Sequence, residues 1–140
     1  MEKTGRDVAE HVAQVTPAVR RRDAQTLIEL MREISGREPE MWTAGIIGFG
    51  ACRYAYPTGT EGDSPILAFA ARKPASTLYL LEEIDAHTLD AVGPHTRSKG
   101  CLYLKNLDDN DLGVLRRILD ASYAHVLSGG DGYAEFTVLD

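Results

Sequence analysis

The chain predicts an α+β fold: a mainly antiparallel β-sheet of about five strands with helices packed on one face. Three observations carry this. Apolar residues recur at helical spacing near the N-terminus and again after residue 110, they alternate with a period of two through the middle, and turn-forming residues divide that middle into hairpins. Helices, then hairpin-connected strands, then a helix is an α+β order rather than the alternation of βαβ units. At 140 residues the chain fits a single domain, residues 1–140, that buries about two thirds of its unfolded surface without disulfides or a structural metal.

Val8, Val12 and Val15 give a helix over about residues 5–15 one apolar stripe, ended before Pro17. Asp23 can cap a second helix whose Ala24, Leu27, Ile28, Met31 and Ile34 form a wider stripe, terminated by Ser35 and Gly36. Ile46, Ile47 and Phe49 lie between glycines, and Cys52, Tyr54 and Tyr56 alternate with Arg53 and Ala55, which reads as two strands or one bent strand. The turn-rich stretch 57–65 is then a hairpin loop, residues 66–71 run back, 72–76 turn again, and 77–81 make a further strand. A short helix near 85–91 precedes the Gly93-Pro94 break and a loop over 93–99. Residues 101–105 are strand-like. Asp108 opens a capping pattern with Asp111 at the third helical position, and Leu112, Leu115, Leu119, Ser122 and Val126 continue a helix until Gly129-Gly130. An edge strand is expected over 134–138.

Composition narrows the function classes. The N-terminal ten residues carry charge where a signal peptide needs an apolar run, and no stretch is long and apolar enough for a membrane helix, so a cytoplasmic protein is expected. A net charge of -6 argues against nucleic acid and anionic membranes as partners. Its acid excess is C-terminal: residues 106–140 hold 2 basic and 7 acidic side chains. Cys52 and Cys101 lack metal or redox spacing and are expected as reduced core residues.

Gly48-Phe49-Gly50 does not suit a dinucleotide loop, because strand-like sequence ending at Pro57 follows where a helix must begin. The glycines are expected to make room for a large ring, with Trp42 the natural one. Arg53, Arg72, Lys73, Lys99 and Lys105 form a basic group; brought together on neighbouring strands, they would hold a carboxylate or phosphate. Solvated charges paired with Glu82, Glu83 or the C-terminal aspartates are the competing reading. With the strand tyrosines nearby, the expected ligand-binding residues are Trp42, Tyr54, Arg72, Lys73 and Lys105. Asp108, Asp109, Asp111 and Asp120 offer hard oxygen ligands, yet capping accounts for three of them, and no metal site is assigned. His95 is the candidate general base. No nucleophile or phosphate-loop motif accompanies it, so no catalytic residue and no cofactor are expected.

Three blocks, MWTAGIIGFG over 41–50, ARK over 71–73 and SKGCLYLK over 98–105, resemble the YdhG-like proteins, family 1801 of the domains of unknown function. The resemblance spans about residues 20–122, from Arg21-Arg22-Asp23-Ala24 through Thr77-Leu78-Tyr79 to Lys105 and beyond. Ala70-Ala71 stands where such proteins tend to carry Ser-Pro, and Pro94, Thr96 and Ser98 stand where the family loop is more basic and glycine-containing. The resemblance implies a fold similar to the frataxin α-β sandwich. The leading expectation is a non-enzymatic domain that binds a small ligand or a protein partner. A frataxin-like iron-binding chaperone and a small enzyme of unknown reaction, built on His95 or Cys101, are the alternatives.

Overall fold

The computed structural model describes residues 1–81 and 84–139. Helix α1 (Val8–Ala13) is shorter than expected, because Asp7 caps it by accepting the Glu10 amide at 2.9 Å; Val15 lies past its end but remains buried. Helix α2 (Ala18–Ser35) starts directly after Pro17 and not at Asp23. A proline at a helix start forfeits no intrahelical hydrogen bond. Asp23 is instead in the helix interior and only 1% exposed, its carboxylate accepting the Leu107 amide at 3.1 Å and lying 3.6 Å from the Arg20 guanidinium. Gly36 ends α2 at φ 67°, a left-handed conformation that glycine takes without a Cβ penalty.

Among the described residues nine strands follow: β1 (Glu40–Met41), β2 (Ile46–Phe49), β3 (Cys52–Ala55), β4 (Glu61–Ser64), β5 (Leu67–Ala71), β6 (Ser76–Tyr79), β7 (Thr96–Ser98), β8 (Cys101–Leu104) and β9 (Glu135–Val138). They form two antiparallel sheets, one of six strands in the order β1-β2-β5-β6-β8-β7 and one of three in the order β4-β3-β9. The α+β class with mainly antiparallel pairing stands, with more strands than the five expected. β4 and β7 fall in segments expected as loops. Glu61-Gly62-Asp63-Ser64 has no β-branched or aromatic side chain, and Thr96-Arg97-Ser98 is exposed throughout, so neither shows an apolar period of two. Pairing with β3 and β8 makes them strands. Gly50, at φ 74°, separates β2 from β3 and sends them into different sheets.

Helix α3 (Ala86–Ala91) is capped by Asp85, which accepts the Thr88 amide at 2.8 Å. Helix α4 (Leu112–Leu127) corrects the capping pattern: Asp111 is its N-cap, accepting the Val114 amide at 3.1 Å, while Asp108 and Asp109 belong to a separate single-turn helix, Leu107–Asp109. Asn106 caps that turn through the Asp108 amide, so capping accounts for Asp111 and not, as expected, for three of the aspartates.

Strand register sorts the large sheet into two faces. Ile47, Phe69, Leu78 and Leu102 stand opposite one another across β2, β5, β6 and β8, all fully buried. Ala24, Leu27 and Met31 of α2 and Leu115 and Leu119 of α4 cover them, which is the main core. The other face carries the row Gly48, Ala68, Tyr79, Cys101 and Ser98, four of whose five members are small. Among the described residues, no helix is long and apolar enough to cross a membrane.

Candidate functional site

A groove of about 1170 Å³ opens beside that second face. Ala68, Tyr79 and Cys101 contribute from the row of small residues, Ile46 lies beside them, and Tyr54 and Tyr56 of the β3–β4 hairpin form another wall. Small side chains on a pleated face leave room that a row of Ile or Phe would fill. In that wall the Tyr54 and Tyr56 rings lie 5.9 Å apart, tilted by 51°; outside the groove, Tyr56 also meets Tyr133 at 5.8 Å. Arg97 and Lys99, on the β7–β8 hairpin, bring positive charge to the same groove. Gly100 closes that hairpin at φ 79°, and Ser98 and Tyr103 join their hydroxyls across it at 2.8 Å.

The expected site residues do not converge there. Tyr54 lines the groove. Trp42 is 3% exposed and sits over Gly48, where an added Cβ would lie 2.5 Å from the indole Nε1, so the glycine does make room for the ring. Trp42 also lines a separate cavity of about 390 Å³ with Lys3, whose ammonium is 5.8 Å from the indole centroid and 3.0 Å from Glu40. Arg72, Lys73 and Lys105 are exposed and line neither cavity. Pairing of these bases with Glu82 or Glu83 lies outside the described residues.

What joins Arg72 to Lys105 is a residue that sequence reasoning passed over. Arg20 is 2% exposed; its Nε donates to the Arg72 carbonyl at 2.8 Å, and its Nη1 donates to the Lys105 carbonyl at 3.1 Å and the Leu104 carbonyl at 3.4 Å. Burial lowers the Arg20 pKa and Asp23 opposes that, which leaves the guanidinium charged near neutrality. The arrangement fastens strand ends to α2 and presents backbone, not side chains, to the buried charge. Arg97 was also missed. Its signal was legible: a two-residue turn, Lys99-Gly100, separates Thr96-Arg97-Ser98 from the strand that follows.

The acidic cluster is dispersed. Asp108 pairs with Arg22 at 3.1 Å, Asp111 caps α4, and Asp120 lies 4.0 Å from Arg116. Among the described residues no three His, Cys, Asp or Glu side chains are placed to hold a metal ion. His95 bonds the Gly93 carbonyl through Nδ1 at 2.8 Å and does not line the groove. Cys101 is half-buried in the groove, whereas Cys52 is fully buried with its Sγ 3.5 Å from the Ser64 hydroxyl.

No protein-family model matches the chain, and neither a curated protein nor a solved structure does.

Proposed function

We propose that this chain is a non-enzymatic domain of YdhG-like type that binds a small molecule in the groove between the second face of the large sheet and the β3–β4 hairpin. The groove itself is the observation that carries the reading: about 1170 Å³, walled by aliphatic residues and tyrosines with few polar groups. Ligand pockets are concave, mainly apolar and of roughly this size, with a small number of polar groups that orient the guest. The family part of the proposal rests on the three sequence blocks alone.

The thiol of Cys101 supplies a local reporter, since the second cysteine, Cys52, is fully buried and burial raises its thiol pKa. The thiolate is the reactive form, so Cys52 stays inert in the folded protein. Phenylnaphthylamine, a neutral apolar dye, should gain fluorescence on binding and slow the alkylation of Cys101 by iodoacetamide. Absence of a fluorescence gain, or a gain that leaves Cys101 alkylation unchanged, would overturn the reading.

A further inference from the structure

We infer that the molecule held in the groove is an amphipathic anion: an aromatic or otherwise apolar body that bears one carboxylate, sulfonate or phosphate group read by Arg97 and Lys99. This presupposes that the groove binds a small ligand, and three observations add the charge. First, the chain holds 21 acidic residues, yet none of the described residues lining the groove is Asp or Glu. Second, both bases come from one short hairpin and, among the described residues, neither forms an ion pair. Arg20, Arg22, Arg32, Arg53 and Arg116 each have a carboxylate partner. Third, apart from these two bases the described lining residues offer only hydroxyls and a thiol as polar side chains, so positive charge is the strong electrostatic feature that they present to a guest.

The two halves of the site ask for different parts of one molecule. Tyr54 and Tyr56 present tilted rings, a geometry that accepts another aromatic edge or face. The guanidinium of Arg97 can take a planar oxyanion in two parallel hydrogen bonds, and the Lys99 ammonium adds a point charge beside it. A cation of the same shape would be repelled, and a neutral analogue would gain only the apolar contact. The hairpin therefore sets selectivity, while the apolar wall supplies most of the affinity.

Anilinonaphthalene sulfonate and the neutral phenylnaphthylamine share an apolar body and differ in charge, which separates the two contributions. In fluorescence titrations the Arg97→Gln, Lys99→Gln variant should bind the sulfonate dye about fivefold more weakly than the native chain, the scale of losing two solvent-accessible charge contacts. Its affinity for the neutral dye should not change. Raising salt from about 0.01 M to about 0.15 M should weaken the sulfonate dye on the native chain alone, because screening acts on exposed charges. Equal sulfonate affinity in the variant, or no salt dependence in the native chain, would overturn the anion assignment while neutral-dye binding leaves the groove reading intact. Failure of both dyes to bind the native chain would overturn both.

Discussion

A Cβ on Gly48 would lie 2.5 Å from the Pro65 Cβ and 2.5 Å from the Trp42 indole nitrogen, closer than packed atoms tolerate. Gly48 is therefore glycine for want of space and not for backbone freedom, since its φ is not among the positive ones. Gly48→Ala should cost about 1–3 kcal/mol in urea denaturation, the range for overpacking a filled site. Trp42 is the chain's single tryptophan, so its emission reports the same change directly. It should be blue-shifted in the native chain and move to the red in the variant. An alanine variant as stable as the native chain, with unchanged emission, would show that the ring is not seated on β2.

At the level of the helix, Arg20 and Asp23 occupy the buried side of α2 and are satisfied by groups far away in sequence. Asp23→Ala leaves the guanidinium without its carboxylate and the Leu107 amide without an acceptor, at a cost of about 3–5 kcal/mol. The Arg20→Met, Asp23→Leu double variant should recover a substantial part of that loss in the same melts, because an apolar pair leaves no unpaired charge. A single variant within half of the lower figure would mean water reaches the pair. Helix α3 depends on Asp85, whose carboxyl is held below the usual carboxylate range first by the Thr88 amide and second by the Thr88 hydroxyl. A depressed folded pKa stabilises above the unfolded value and is lost as pH falls through the folded one. The melting temperatures of the native chain and Asp85→Ala should thus differ near neutrality and converge as pH drops below about 4. Curves that stay parallel well below that pH would remove Asp85 from the acid limb.

Over the whole molecule, the core between α2, α4 and the large sheet should behave as one unit. Leu115 is fully buried and belongs to that core, so Leu115→Ala should cost about 2–5 kcal/mol in chemical denaturation. A loss below half a kcal/mol would show that α4 is not packed on the sheet. The helices, the central strands and this core could be read from the chain, because periods of 3.6 and 2 record which side of an element meets solvent. The seat of Trp42 was legible too, since a glycine-flanked strand beside one large ring leaves few ways to pack both. β4 and β7 were not, as their residues carry no apolar alternation and become strands only by pairing. Nor was the buried Arg20, whose carbonyl partners lie 52 and 85 positions along the chain. The groove has the same origin. Ala68, Tyr79 and Cys101 share a row only through the register of β5, β6 and β8, and the tyrosines of one hairpin line the same groove as the bases of another only because two sheets fold beside each other. Local patterns state which residues are buried, whereas long-range hydrogen-bond register decides which of them stand together around an opening.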